Sequence, residues 1–600
     1  MPYISLHLNM LGSTPMKNVR KIFYIFFYFI VFILSSCAEN HPAKNEVIIH
    51  ELADAEMLNP VNYTDANAGY IMNHIFQKLI DADFRNPSEF VPVLAESRPM
   101  IEKTPEGKMR LTFKIRKEAK WDNGSDVTAK DVDFTLKTNK NLLVNNPNQK
   151  SYFDFIVDFK YFDDDPKKFS VIADTIYFMA EATFTDVAIL PEYVYDPKGL
   201  MKKFSIKQLS SKSDSLKTDP QIKEFADDFN SGKRMRDPNF IGGSGAYKFS
   251  EWKTNDYITL TKKEDWWGRA LNKENCFFEA TPSKLTFKII SDQASALVSL
   301  KAGNLDVMNG IKSNDFNDLP RSEKFTKNFN AYTPMEYSYV YIGLNTKSPV
   351  LSDKLTRQAI SYITDADNII KTIKYGQAEP IIGPIHPSKK KTYNSDIQRY
   401  TFDPGKAKEL LAKAGWKNTN GDETLDKMID GKRTEFIVDF LFNAGNDERK
   451  SIALLIQDEA KKIGIKMNVQ SIDWSVYLQK CRNHQFDMMI GKWIGGPGPD
   501  DLKQTFHSSS ATGEGSNYCS FSNPQADALM DSIRYEIDEV KRNKMYDQVQ
   551  EILHDEAPMI FLYSPAERIA ISKKFDNAYP SVTRPGYWVE GFQIKTASPQ

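Results

Sequence analysis

Strand-like and helix-like apolar patterns alternate along most of the chain. One unit begins with apolar residues at every second position over 285–289, as in a half-buried strand. A helical pattern follows, which Asp292 is placed to cap and Gly303 to end. A second helix is predicted over 403–415, and a third ends at Gly464, where strand-like alternation resumes. Alternating strands and helices predict an α/β fold in which helices cover sheets.

Residues 201–238 break this pattern, because they are polar, charged and only weakly periodic. The stretch 210–217 consists almost entirely of Ser, Lys and Asp. We expect a surface insertion here rather than a core element. A partner-binding loop is the functional alternative.

The N-terminus has the pattern of a secretory leader. A basic stretch, 17–21, precedes thirteen consecutive apolar residues, 22–34. That run is shorter than the roughly 20 residues of a membrane-spanning helix and is typical of a signal peptide. It ends in Leu-Ser-Ser-Cys at Cys37, which resembles the bacterial lipobox, where the cysteine is lipidated. The sequence therefore predicts a signal peptide over 1–36 and a lipidated tether over 37–46; an ordinary signal peptide ending near a cysteine is the alternative.

Length, charge and cysteine content narrow the classes of protein. Six hundred residues are too many to fold around one hydrophobic core, so two or three domains are expected. Seventy-eight basic and 79 acidic residues leave a net charge of -1, which argues against a nucleic-acid partner. Besides Cys37 the chain has Cys276, Cys481 and Cys519. Their odd number and wide spacing exclude a disulfide scaffold and fit no zinc pattern.

A search for catalytic chemistry finds no complete motif. The glycine-rich run 242–246 has Ala246 where a nucleophile elbow needs glycine, and it is not followed by the residues of a phosphate loop. The run 418–422 has the spacing of calcium ligands, but Glu423 replaces the required glycine, so a polar turn is expected. Histidines are scattered singly, and we expect His74 and His484 to be exposed. We predict a binding protein without catalytic residues, metal or cofactor.

Several short, distinctive blocks of sequence lie between about residues 47 and 570. The most specific joins the alternating strand 111–117 to Trp121-Asp122-Asn123-Gly124, a turn, and to Thr128, which with Asp131 is close to a helix capping box. Further blocks lie at 58–60, 75–80, 91–97, 242–249, 302–307, 407–416 and 555–558. Together they resemble the family 5 extracellular solute-binding proteins, the group of the oligopeptide-, dipeptide- and nickel-binding proteins of ABC importers.

The resemblance implies a two-lobed, periplasmic-binding-protein-like α/β fold with a hinge and an additional domain on the first lobe. By matching blocks, lobe I is expected over 45–68, 188–334 and 561–600, its extra domain over 69–187, and lobe II over 335–560. It implies a monomeric periplasmic or cell-surface lipoprotein that captures peptides between its lobes. It would deliver them to permease and ATPase subunits.

The resemblance also indicates ligand-binding residues. In the peptide binders of the family, an aspartate three residues after a tryptophan pairs with the peptide ammonium; here Trp493 is followed by Gly496 at that place. Either Asp500 or Asp501 replaces the aspartate, or the cargo lacks the ammonium. The backbone of 492–495 is expected to pair with an extended ligand. Other positions that match ligand-facing places are Tyr63, Thr64, Asp65, Asn443, Arg449, Arg482, Lys492, Ile494, Gly495 and Tyr563.

Three alternatives stay open on the sequence. The same scaffold can bind a non-peptide solute, such as an oligosaccharide, a metal chelate or an amino-acid derivative. The other two alternatives belong to different classes of protein: a secreted hydrolase with an unrecognised site, and a sensor or adhesion lipoprotein. Neighbouring permease and ATPase genes favour the importer, whereas turnover of a peptide or glycoside favours the hydrolase. For a ligand carboxylate, the expected partners are Arg449, Arg482 or Lys492.

Overall fold

The structure is a computed structural model that describes residues 45–87, 89–146, 153–512 and 515–595. The expected signal peptide and Cys37 lie outside these residues. Within the described part, no helix is both long enough and apolar enough to cross a membrane.

The first sheet confirms the predicted strand at 285–289 and places it centrally. Lys284–Ile289 lies beside the parallel strand Glu46–Glu51, so segments about 240 residues apart share one sheet. Seven strands of the described residues form it, in the order Phe329–Tyr332, Ile569–Ser572, Val307–Met308, Glu46–Glu51, Lys284–Ile289, Tyr257–Lys262 and Tyr247–Lys253.

The second sheet has its own core. Its central strand, Ser338–Leu344, is fully buried and pairs antiparallel with a strand on each side. The described strands follow the order Ala378–Pro380, Met559–Pro565, Ser338–Leu344, Met488–Ile494, Ile437–Asn443 and Lys466–Ile472. Met559–Pro565 runs across the expected boundary between 560 and 561. The domain division itself stays a prediction.

A third, antiparallel sheet lies within 69–187. Its strands follow the order Met100–Lys103, Met109–Lys114, Asp165–Ala173 and Ile156–Phe162. Helix Ala129–Lys140 packs on it and contributes Val132 and Leu136 to a separate apolar core. Three two-stranded ribbons complete the described strands: Ile80–Ala82 with Phe90–Pro92, Asp426–Ile429 with Lys432–Glu435, and Phe575–Asp576 with Gln593–Ile594.

Helices cover the sheets, and their predicted caps are confirmed. Asp292 accepts a hydrogen bond from the Ser295 amide at 2.8 Å, and Gly303 ends that helix with a φ of +87°. Thr128 and Asp131 form a complete capping box. The α-helices of the described residues are Ala66–Met72, Ala129–Lys140, Ala180–Thr183, Glu192–Tyr195, Ile206–Ser210, Asp214–Thr218, Pro220–Phe229, Lys233–Arg236, Gln293–Ala302, Ser313–Asp318, Glu323–Asn328, Lys354–Tyr362, Ala366–Thr372, Pro404–Lys413, Asp447–Lys461, Trp474–Arg482, Lys503–Phe506, Pro524–Tyr535 and Glu539–Glu556.

The expectation that 201–238 is a surface insertion is wrong. Helix Pro220–Phe229 buries Phe225 and Phe229 in the core of the first sheet, and Arg234 is only 1% exposed. The Arg234 guanidinium is held by Asp228 at 2.7 Å and by the Val194 carbonyl. The polar residues of this segment form the outer face of helices whose inner face is apolar.

His74 is buried, contrary to the expectation of an exposed side chain. Its Nδ1 lies 2.8 Å from Glu590 Oε1, and burial lowers the pKa of the imidazole to about 3. The same region explains the glycine-rich run, because a Cβ on Gly243 would lie 2.3 Å from the Ile75 carbonyl oxygen. Those glycines permit close packing of two backbones.

Candidate ligand-binding cleft

A cavity of about 610 Å³ lies between residues of the segment 69–187, the loop after strand Met488–Ile494 and the C-terminal stretch 582–588. Residues 69–187, which contain the third sheet and are called the third-sheet segment below, contribute Lys78, Asp81 and Asp186. The loop after strand Met488–Ile494 contributes its glycines and prolines. The C-terminal segment supplies Arg584 and Trp588. A concave site built from such separate segments is the usual form of a small-molecule site.

One wall is the backbone of the loop 494–499. The Gly495 amide donates to the Tyr337 carbonyl at 2.7 Å, which continues the pairing of the strand before it. No atom lies within 4 Å of the place where a Cβ on Gly496 would stand, whereas one on Gly498 would lie 3.4 Å from the Ala182 Cβ. A ligand can therefore approach the main chain at Gly496 without meeting a side chain.

A second cavity, of about 220 Å³, shares part of its lining with the first. Both cavities are lined by Ala182 and by the stretch 497–499.

The wall from the third-sheet segment is acidic. Lys78 Nζ lies 2.8 Å from Asp81 Oδ2, and Asp186 lines the cavity beside this ion pair. Burial, together with the charge of Asp81, raises the pKa of Asp186, although Lys78 opposes the shift. Burial likewise raises the pKa of Asp81.

A basic group lies at the C-terminal segment. Glu336 accepts from Lys492 Nζ and from one Arg584 nitrogen, each at 2.8 Å. Burial opposes ionisation of Glu336, but the two cations outweigh it and hold the pKa of this carboxyl below its usual value. Arg584 lines the cavity with 43% of its side chain exposed.

Aromatic side chains supply the apolar part of the lining. Trp588 packs against Phe84 and Phe277 with ring centroids 5.3 and 5.1 Å away, and all three line the cavity. Tyr177 and Tyr337 line it as well. Such rings offer large apolar contact surfaces to a ligand.

Some of the ligand-binding residues expected from the sequence line this cavity. They are Ile494, Gly495, Gly496 and Asp501. Asp501 also accepts from the Lys503 amide at 3.1 Å and lies 3.4 Å from Arg534 Nε.

The rest lie elsewhere among the described residues. Asp500 is bound by Lys389 Nζ at 2.7 Å, Lys492 is bound to Glu336, and Trp493 is half-buried against the core that contains Tyr339. Tyr563 is buried and donates to Glu448 at 2.6 Å, Arg449 donates to Asn443 at 2.7 Å, and Arg482 is exposed at a helix end. Near the N-terminus, Tyr63 packs against Gly69, Thr64 donates to Glu56, and Asp65 caps helix Ala66–Met72. Their ligand-binding roles stay predictions.

Sequence reasoning missed the charged lining at Lys78, Asp81, Asp186 and Arg584. These residues come from segments up to about 500 positions apart, so no spacing in the sequence relates them. Only the folded chain brings them to one cavity.

Comparison with known proteins agrees with this architecture. Residues 89–515 match the family described as bacterial extracellular solute-binding proteins, family 5. The chain belongs to this family. The resemblance drawn from the sequence blocks is thereby confirmed, and the protein is a solute-binding protein rather than an enzyme.

Two curated relatives illustrate the likeness. Oligopeptide-binding protein AppA of Bacillus subtilis (strain 168) is 28% identical over 547 residues, which cover 88% of this chain and 88% of the relative. The dipeptide-binding protein of Escherichia coli (strain K12) is 25% identical over 554 residues, covering 88% and 91%.

Solved structures confirm the fold class. AppA from Bacillus subtilis, in complex with a nonapeptide, superposes with a TM-score of 0.62 at 27% identity and covers 92% of this chain and 99% of its own. HbpA2 from Haemophilus parasuis gives a TM-score of 0.73 at 20% identity, covering 92% and 100%. The α/β fold is the two-lobed, periplasmic-binding-protein-like one.

Proposed function

We propose that this protein is the substrate-binding lipoprotein of an ABC importer and that it captures peptides or peptide-like solutes in the 610 Å³ cavity. The observation that carries the proposal is the position of this cavity, between the segment 69–187, which contains the third sheet, and the loop after a strand of the second sheet, two sheets with separate cores. Such a cavity can close on a solute when the lobes move together. The family membership and the peptide-binding names of the relatives support the choice of cargo.

Binding would use the main chain more than side chains. The loop 494–499 presents its backbone to the cavity, and Gly496 leaves it uncovered. An extended peptide can pair with such a strand continuation and place its side chains against Trp588 and the neighbouring rings. Main-chain pairing gives affinity with little selectivity for the ligand's side chains.

The leader supports a membrane-anchored location outside the cytoplasm. The basic stretch, the apolar run and Leu-Ser-Ser-Cys agree with cleavage before Cys37 and lipidation of its thiol. Several acyl chains on one cysteine anchor a protein stably, whereas one chain binds a membrane only marginally. Permease and ATPase subunits would receive the cargo.

Binding to a panel of solutes tests the proposal. Thermal shift and calorimetry with short peptides, oligosaccharides and metal chelates should identify a peptide that raises the unfolding midpoint, because a ligand that binds only the folded state stabilises it. Stabilisation by a sugar or chelate alone would assign a non-peptide cargo. Cleavage of any of these solutes by the purified protein would refute a binding function.

Filling the cavity at Gly496 gives a matched test of its location. Gly496→Trp adds a large side chain where the structure has open space, so peptide affinity should fall by at least about 100-fold, or about 2.7 kcal/mol. Gly232→Trp is the control, because Gly232 also has open space around its Cβ position but does not line the cavity. Calorimetry should show unchanged binding for this control. Equal affinities for the two variants would place the ligand elsewhere.

A further inference from the structure

Phe178 belongs to the third-sheet segment in sequence, but it does not pack in that segment's core. It follows strand Asp165–Ala173 and lies in the buried apolar cluster that contains Tyr339, called the Tyr339 core below. This core is built largely from the second sheet and from helices Pro524–Tyr535 and Glu539–Glu556. Only 8% of Phe178 is exposed. One segment therefore buries an aromatic ring in the core of another.

Further contacts join the two sides at this point. The Phe178 amide donates to the Arg534 carbonyl at 3.1 Å, at the end of helix Pro524–Tyr535. The Arg534 guanidinium lies 5.8 Å from the centre of the Tyr177 ring, and its Nε lies 3.4 Å from Asp501 Oδ2. Because Asp501 lines the cavity, Arg534 connects the residues around Phe178 to the loop on the other wall.

The same residues are fixed to the third-sheet segment. Tyr177 packs against Phe155 with ring centroids 5.2 Å apart. Glu181, in the helix that follows, accepts two hydrogen bonds from the Arg98 guanidinium, each at 2.6 Å. Residues 177–183, called the bridging stretch below, are thus held by the third-sheet segment on one side and by the Tyr339 core on the other. Such a bridge persists only while the two sides lie together.

The bridging stretch forms part of the cavity wall. Tyr177 and Met179, on either side of Phe178 in sequence, line the 610 Å³ cavity, as do Ala182 and Thr183. Withdrawing the Phe178 ring from the Tyr339 core would expose apolar surface to water, which disfavours the separated arrangement. A movement that withdraws the ring also moves this part of the wall.

We propose that Phe178 is a positioning residue of the cleft: its ring, inserted in the Tyr339 core, holds the bridging stretch against a bound solute and so sets how slowly the solute leaves. This inference rests on the proposed function, because it needs a cleft that opens and closes. Phe178 acts through Tyr177 and Met179, which line the cavity. A contact made only in the closed arrangement slows dissociation, whereas association starts from the open one.

Binding kinetics of trialanine and pentaalanine test the inference. Phe178→Ala should raise the dissociation rate at least about tenfold and change the association rate by less than about threefold. Phe178→Leu keeps a large apolar side chain and should restore most of the slow dissociation. Stopped-flow fluorescence measures both rates. An unchanged dissociation rate in Phe178→Ala would overturn the inference.

Phe159→Ala is the matched control. Phe159 is also 8% exposed, but it lies in the core of the third sheet itself. Its truncation should lower the unfolding midpoint and leave both rates as in wild type, because lost packing within one core does not release the bridging stretch. Equal acceleration by the two alanine variants would assign the effect to general destabilisation and leave Phe178 without a positioning role. Unfolding midpoints verify that each variant is folded, and Phe159→Leu or Phe178→Val replaces an alanine variant that is not.

Hydrogen exchange of the ligand-free protein separates this inference from the proposed function. Phe178→Ala should speed exchange of the amides in the loop 494–501, across the cavity, at least about tenfold. The amides of strand Lys284–Ile289, in the first sheet, should keep their wild-type rates. If neither peptide binds, the proposed peptide cargo is refuted, and exchange alone decides whether Phe178 holds the two walls together. Wild-type exchange at 494–501 in Phe178→Ala would show that it does not.

Discussion

Glu336 shows how one side chain organises the cleft. It is 9% exposed and accepts hydrogen bonds from Lys492, on the second sheet, and Arg584, on the C-terminal segment. A buried carboxylate is stable only when its charge is matched, and here two cations match it. Glu336 therefore holds in place Arg584, a cation that lines the cavity.

Replacing this carboxylate should lower stability in a pH-dependent way. Glu336→Gln leaves two partly buried cations without their partner, so the free energy of unfolding at pH 7 should fall by about 1–3 kcal/mol. The pKa of Glu336 is lower in the folded than in the unfolded protein. Its contribution is therefore complete above the unfolded pKa and is lost as pH falls through the folded pKa.

Urea unfolding from pH 7 to pH 3 measures this effect. The difference between wild type and Glu336→Gln should shrink below about pH 4. Glu379→Gln, at an exposed edge-strand position, should match wild type throughout. A Glu336→Gln deficit that is constant with pH would show that the carboxylate's charge is not what stabilises the group.

Local signals at single residues were predictable from the sequence, while the cleft's charges were not. Asp292, Thr128 and Gly303 act through neighbours three or four residues away, so their roles are encoded locally. Asp186 and Arg584, almost 400 positions apart, are brought to one cavity only by tertiary packing. No pattern of sequence spacing contains that information.

At the scale of elements, the segment 201–238 shows why one prediction from the sequence was wrong. The sequence 201–238 is dominated by charged and hydroxyl residues, yet Ile222, Phe225 and Phe229 are spaced as one helical face and are buried. The signal was present but short, and it was hidden by the polar composition around it. A strand such as Met109–Lys114 was easier to predict, because buried and more exposed positions alternate along its whole length.

The burial of one face of helix Pro220–Phe229 predicts that one substitution will strongly lower the free energy of unfolding. Phe225→Ala removes a ring buried in the core of the first sheet, and the free energy of unfolding should fall by about 3–5 kcal/mol. Lys223→Ala, on the exposed face of the same helix, should change it by less than about 0.5 kcal/mol. Chemical denaturation of the two variants checks this. Equal stabilities would mean that the helix does not share the core.

At the scale of the whole molecule, ordered blocks of sequence gave the family and the fold, which the comparisons confirm. The sequence could not give the cavity, because its walls come from segments that the chain order keeps apart. The expected 560/561 boundary stays a prediction, and strand Met559–Pro565 of the second sheet spans it. Sequence blocks carry no information about which strands are paired by hydrogen bonds.

Anchoring is a property of the entire precursor and has its own test. Cys37→Ser removes the thiol that we propose is lipidated, so the protein should move from the membrane fraction to the soluble fraction. Ser36→Ala keeps a small residue before the cysteine and should stay with the membrane. Immunoblots of fractionated cells report the distribution. Membrane retention of Cys37→Ser would rule out a lipid anchor at this cysteine.

The uncovered main chain at Gly496 also bears on how such a protein changes over generations. Its φ lies outside the left-handed region, so a side chain there meets no left-handed strain, and the space around the Cβ position is open. A single codon change at this point would shorten or reshape the room for cargo while leaving the scaffold intact. The range of solutes that such a binding protein accepts would then change by one mutation, without a new fold.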